Sequence, residues 1–268
     1  MSAAFEIYKY YRYKFYSKYS HLKGATFLHR QLKTLAQKGI EKFDGKSESI
    51  FEKNDWDNLI ILDACRYDLY REVNGEVEKR ITLGSDSRQF IEETFSEGDF
   101  SDVVYVTANP HFSASNFREN IGRDVEETFH EVYHTYETDW SEENGTVMPE
   151  AVVRDAKNAK KLFPDKKLII HFMQPHHPFV NFDIGDDTVE SNPWSLAERG
   201  KLSEEKVWKM YRDNLEFVMP FAEQLSEELG GTTVITADHG NLCGENGLYH
   251  HPYGSDAKGL REVPWDKR

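Results

Sequence analysis

Cysteine is scarce: Cys65 and Cys243 are the only two in 268 residues. That is too few for a disulfide framework, so a reducing compartment is expected. No apolar run approaches the roughly 20 residues a membrane-spanning helix needs, and Met1-Ser2-Ala3-Ala4-Phe5-Glu6 opens no secretory signal pattern. Basic residues are in the minority, 33 Lys and Arg against 47 Asp and Glu, for a formal charge of −14. A surface of that sign repels phosphate backbones and excludes general nucleic-acid binding. No internal repeat is present. An aromatic content of 13% excludes the class of disordered acidic chains. These shortages place the protein among soluble globular proteins, and the expectation for its location is cytoplasmic.

The positive charge that exists is concentrated at one end. Residues 1–50 carry ten Lys or Arg against four Asp or Glu. Tyr8, Tyr11, Phe15 and Tyr19 fall near helical spacing, with Lys9, Arg12, Lys14 and Lys18 among them. Such an arm can touch an anionic membrane surface, here the inner face, or pack as a helical extension on its own acidic body. A second helix is expected from about Thr26 to Lys38, ending at Gly39, and Gly45-Lys46-Ser47-Glu48-Ser49 reads as a linker. The expected division is an arm over 1–50 and one domain over 51–268.

The body alternates strand and helix signals. Leu59-Ile60-Ile61-Leu62, Arg80 to Leu83, Val103 to Val106, Lys167 to Phe172 and Thr232 to Thr236 read as short buried strands. Helices are expected after Asp68 to about Val73, from Arg88 or Gln89 to Phe95, from Pro149 to Phe163 and from Ser203 to Leu229. Residues 111–147 are polar and without clear period, and 181–200 read as a loop. The pattern implies an α/β fold, a mostly parallel central sheet with helices on both faces.

Polar groups gather where these strands end. Thr236-Ala237-Asp238-His239-Gly240 runs from a strand into an adjacent carboxylate and imidazole, two common ligands of a borderline divalent metal. Asp63 follows the first strand, Ser85 and Ser87 precede a helix, and His176 and His177 follow the Lys167 strand. In a parallel sheet such ends share one edge, so residues distant in sequence converge. A serine at a helix N-terminus is placed to act as a nucleophile toward an anion held by free N–H groups. The plainer readings are helix capping for the serines and Asp238 and a turn residue for Asp63.

Ordered motifs carry a resemblance. Thr236 to Gly240, then Gly244-Glu245-Asn246-Gly247-Leu248-Tyr249-His250, then Leu260-Arg261-Glu262-Val263-Pro264 resemble the closing motifs of sulfatases. Pro175-His176-His177-Pro178-Phe179 is similar to their Pro-His-x-Pro-Phe motif. Leu62-Asp63-Ala64-Cys65-Arg66-Tyr67-Asp68 resembles the first metal-ligand strand of the wider alkaline phosphatase superfamily, nearest its phosphodiesterase branch. The set spans about residues 56–268 in order.

The resemblance implies a metal-dependent hydrolase or transferase acting on phosphate esters through a serine, Ser87 first and Ser85 second. It implies one divalent metal (Mn, Zn or Mg) held by Asp63, Ser87, Asp238 and His239. His176 would contact the substrate anion, with His250 or His251 in the same role. Arg66 can pair with phosphate or with Asp68. The departures also count. The Cys-x-Pro-Ser-Arg motif whose cysteine sulfatases convert to formylglycine is missing, which weakens the alternative of a sulfuric ester hydrolase, where calcium would be the metal. The remaining alternative is an inactive sulfatase-like module that binds anions. Cys65 reads as a small buried hydrophobe. The expected partner is an anionic phospho- or sulfo-ester.

Overall fold

The computed structural model describes residues 39–52, 55–180 and 192–268. The helices expected before Gly39, and most of the 181–200 loop, lie outside the described residues.

Seven strands form the central sheet. They are β1 (Asn58–Leu62), β2 (Glu78–Ile81), β3 (Phe100–Thr107), β4 (Phe129–His134), β5 (Lys167–Phe172), β6 (Thr233–Thr236) and β7 (Glu262–Lys267). Their order across the sheet is β2-β7-β6-β1-β5-β3-β4. From β6 to β4 every pairing is parallel, and β7 alone runs against its neighbours β6 and β2. The expected α/β architecture, a mostly parallel central sheet with helices around it, is therefore present.

The apolar run of β1 explains its central position. All five of its residues are buried. Ile60 and Leu62 face one core with α1 (Tyr67–Asn74), α3 (Pro149–Leu162) and α5 (Glu204–Glu228). Leu59 and Ile61 face a second core with α2 (Ser87–Phe95) and the Phe112–Phe117 segment. A strand buried on both faces needs no polar alternation. Phe95 sits at the middle of the second core, edge-on to Phe100, Tyr105, Phe112 and Phe129 at 5.2–6.0 Å between ring centroids.

Several elements depart from the sequence expectation. The polar 111–147 stretch contains β4, an edge strand in which His130 and Glu131 are exposed, and so lacks an apolar run. β7 holds Pro264 and three charged residues, composition that argues against an interior strand. Pro264 is tolerated because the ladder with β6 stops at Trp265, paired with Thr236; beyond it the Pro264 carbonyl accepts from Thr236 Oγ1 at 2.7 Å. A short helix, α4 (Pro193–Glu198), stands within the expected loop, capped by Asn192. The expected linker at 45–49 is packed: Glu48 N donates to the Ile81 carbonyl at 2.8 Å, and Ile50 is buried in the second core.

Candidate active site

The carboxyl ends of β1, β6, β3 and β5 deliver Asp63, Asp238-His239, Asn109 and His176 to one edge of the sheet. Asp63 continues β1, its N–H donating to the Phe172 carbonyl at 3.2 Å. Ala64 then turns with a left-handed φ of 60°, a conformation that costs an L-residue about 1–2 kcal/mol. The turn aims the Ala64 N–H at Asp238 Oδ1, 3.0 Å away, and the Tyr211 hydroxyl of α5 donates to the Ala64 carbonyl. Beyond β6 the chain passes so close to the helical turn Lys258–Arg261 that a Cβ on Gly240 would stand 2.1 Å from the Gly259 carbonyl oxygen.

Ser87 is the first residue of α2, and Asp86, not Ser87, is the N-cap, accepting from Gln89 N at 2.7 Å. This corrects the helix start expected at Arg88 or Gln89. Ser87 Oγ donates to Asp238 Oδ2 at 2.7 Å, lies 3.2 Å from His239 Nε2 and accepts from Asn109 Nδ2 at 2.9 Å. The same Asn109 nitrogen donates to Asp63 Oδ2 at 2.7 Å. Asn109 is a site residue that sequence reasoning missed. Its one signal is its position after a buried strand, shared with many turn residues.

His239 Nδ1 donates to the Gly240 carbonyl at 2.6 Å, which leaves Nε2 as the bare nitrogen. Nε2 stands 3.6 Å from Asp63 Oδ1 and 3.5 Å from Asp238 Oδ2. Two buried carboxylates side by side repel. Burial first, then the Asp238 charge, push Asp63 well above the usual carboxylate range. Burial also acts to raise Asp238, but His239, His171 and hydrogen bonds from Ala64 and Ser87 outweigh it and hold that group low.

Asp63 Oδ1 is buried without a hydrogen-bond partner. One ligand atom each from Asp63, Asp238 and His239 lies within 4.8 Å of the others. An orphaned oxygen, a second carboxylate and a bare imidazole nitrogen form a hard, anionic donor set that fits a divalent ion.

Ser85 is separated from this group by its own bonds. Its Oγ is 2.9 Å from both Gln89 Oε1 and the Pro252 carbonyl and accepts from Ser255 N at 3.2 Å. Arg66 is turned to its structural alternative: Nε and Nη2 donate to Asp68 at 2.8 and 2.6 Å, and Nη1 to the Asn241 carbonyl and Glu245. Cys65 is fully buried, and its thiol is pushed up by burial.

The remaining imidazoles line up beside His239. The His251 ring is 4.7 Å from that of His239 and 5.1 Å from that of His176, which is 4.4 Å from that of His177. His176 Nδ1 is committed to the His177 carbonyl at 2.5 Å, and His251 Nδ1 to Asn241 Oδ1 at 2.8 Å. Burial lowers His176 to about 4 and holds His251 well below its ordinary value. Asn214 of α5 fixes the His176 loop by donating to the Pro175 and His176 carbonyls, each at 3.1 Å, and accepting from Val180 N at 3.1 Å. His250 points elsewhere, with Nε2 3.5 Å from Ser195 Oγ of α4.

No protein-family model matches the chain, and no curated protein matches it. Solved structures share its fold. The integral membrane lipooligosaccharide phosphoethanolamine transferase A (EptA) of Neisseria meningitidis is 15% identical, with a TM-score of 0.53 over 92% of this chain and 55% of that one. The C-terminal periplasmic domain of the phosphoethanolamine transferase EptC of Campylobacter jejuni is 14% identical, with a TM-score of 0.50 over 79% of this chain and 78% of that one. The chain thus spans about half the length of EptA.

These neighbours overturn the cytoplasmic expectation: one is a periplasmic domain and the other an integral membrane protein. Two free cysteines and an acidic surface suit either side of a membrane, so the sequence criterion had no power to discriminate. Among the described residues no helix is long and apolar enough to cross a membrane.

Proposed function

We propose that the protein is a metal-dependent phosphoester transferase or hydrolase that works through Ser87. The observation that carries this reading is the contact set of one hydroxyl. Ser87 Oγ touches Asp238, His239 and Asn109, and Asn109 in turn holds Asp63. A serine meant only to cap a helix has no use for two buried carboxylates and an imidazole.

Asp63, Asp238 and His239 would hold the divalent ion, with Ser87 completing the set; manganese, zinc and magnesium all suit the donors. When bound, the ion supplies a lowered hydroxyl pKa and neutralises charge on the phosphoryl oxygens. Asp238 Oδ2 receives the Ser87 hydrogen bond and is the adjacent acceptor for its proton. The Ser87 oxygen forms a bond to phosphorus as the bond to the leaving alcohol breaks. Water or an acceptor hydroxyl then displaces Ser87. The amides at the start of α2 face the phosphoryl oxygens. His176 and His251 flank the substrate anion, while Arg66, committed to Asp68 and Glu245, stays out of the site. The phosphoethanolamine transferases that share the fold support a phosphodiester as substrate. Sulfate-ester cleavage finds no support, because neither Cys65 nor Cys243 stands in a Cys-x-Pro-Ser-Arg motif and the hydroxyl against Asp238 and His239 is that of Ser87. Residues 51–268 form the catalytic body in this reading, with 1–50 outside the active site.

The test is metal content with turnover. Wild type purified in zinc or manganese should hold about one ion and hydrolyse an aryl phosphodiester far faster than an aryl sulfate. Asp238→Ala should lose at least roughly 100-fold in metal affinity. A metal-free wild type, or an Asp238→Ala variant at full occupancy, rules the reading out.

A further inference from the structure

Asp63 and Asp238 have a third neighbour that the proposed chemistry leaves unused. His171 sits inside β5, in register with Ile61 of β1 and Thr107 of β3, and is fully buried. Its neighbours along the strand are Ile169, Ile170 and Phe172, so an aliphatic side chain is the ordinary occupant of such a position. His171 Nε2 lies 3.6 Å from Asp238 Oδ2 and 3.9 Å from Asp63 Oδ2. Among the described residues it has no hydrogen-bond partner. On the other side of the ring, Nδ1 is 3.0 Å from the hydroxyl of Tyr105, itself fully buried and stacked on Phe112 at 4.2 Å between centroids.

The tautomer follows from these contacts. Burial, then the charges of Asp238 and Asp63, keep the Tyr105 phenol protonated, so it has a hydrogen to donate. The carboxylate oxygens beside Nε2 accept, so the ring N–H belongs on Nε2 and Nδ1 accepts from the Tyr105 hydroxyl. The ring therefore presents its N–H on Nε2 toward the two carboxylates.

We infer that Tyr105 and His171 are a buried positioning pair beneath the metal pocket. Tyr105 fixes the tautomer of His171, so that an Nε2–H dipole, just beyond hydrogen-bond distance, faces the Oδ2 atoms of Asp238 and Asp63 and favours the ionised form that receives the ion. The inference rests on reading the pocket as a metal site. Hydrogen-bonded groups behind metal ligands commonly change metal affinity by about 10–100-fold when removed.

The experiment uses the full-length chain stripped of metal. Long-range proton–nitrogen NMR of the histidine rings should find His171 as the Nε2–H tautomer in wild type and as a tautomer mixture in Tyr105→Phe. Calorimetric titration with zinc should give about tenfold weaker binding in Tyr105→Phe and up to about 100-fold in His171→Leu. His171→Gln, which restores an N–H donor, should recover most of that loss. Tyr105→Phe keeps the packing on Phe112 and decides the matter if His171→Leu does not fold. Wild-type affinity in Tyr105→Phe, or a His171 ring protonated at Nδ1, overturns the inference while leaving the metal site standing. A wild type that binds no metal overturns both.

Discussion

The backbone N–H of Ala64 donates to Asp238 Oδ1 at 3.0 Å, joining two strand ends 174 residues apart in sequence. The bond exists because Ala64 is held left-handed, and Tyr211 holds it there from α5 by donating to its carbonyl. Strain stored at a peptide beside a candidate site is thus opposed by a fully buried helix residue. The relative placement of Asp63 and Asp238 is set by backbone as well as by side chains.

Ser87→Ala should remove turnover by several orders of magnitude while the protein stays folded, since the hydroxyl is the proposed nucleophile. Ser85→Ala should act oppositely. It leaves the Pro252 carbonyl and Ser255 N–H without their partner and costs about 1–2 kcal/mol of stability with little effect on rate. Steady-state kinetics and a denaturant titration of both variants check the pair; a reversed ranking transfers the role to Ser85.

Asn109→Ala should reduce kcat by about 100-fold, because one amide nitrogen orients both Asp63 and Ser87. Asn109→Asp should be worse, since it sets a further carboxylate against Asp63. Equal kcat in wild type and both variants would remove Asn109 from the site.

Gly240→Ala should destabilise the fold, because the new methyl group meets a backbone carbonyl and not a side chain that can swing away. The expected cost is about 3 kcal/mol, or roughly 10 °C in melting temperature for a chain of this size. Calorimetric scans compare it with wild type.

Acid should destabilise the metal-free protein well above the carboxylate range. His171 is lowered from 6.5 to about 4 by burial, and His176 likewise, so the unfolded chain binds more protons between those values. The stability is fully present above pH 6.5 and is lost as pH falls toward 4. For the fully buried His171 the loss is on the order of 3 kcal/mol. Melting temperature measured in chelator across that range should fall steeply in wild type and less steeply in His171→Gln. A flat profile would show that the rings charge without cost.

The parts of this fold that are legible in sequence are those with one dominant physical signal. The run Leu59 to Leu62 can only be a strand buried on both faces, and Thr233 to Thr236 running into Asp238-His239 announces a strand end that carries a carboxylate and an imidazole. β4 was hidden because an edge strand keeps polar residues, and β7 because Pro264 and its charges suit a loop better. Ser85 and Ser87 were hard to rank because both precede the same helix. Their hydrogen bonds, to the Pro252 loop and to Asp238, separate them only in three dimensions. His171 was invisible inside an apolar strand, and Arg66 carried two pairings of which the folded chain adopts the one to Asp68.

The place of β1 also fixes when this protein can become itself. Asn58 pairs with Leu168 on one side and Thr233 on the other, and β2 waits for β7. A ribosome adding about 5–20 residues per second leaves the greasy Leu59–Leu62 segment without its flanking strands for on the order of ten seconds. During that interval the most water-averse part of the chain has only chaperones, or other nascent chains, to meet. The wiring that gathers four strand ends into one site therefore also makes newly made copies dependent on protection until translation has passed β6.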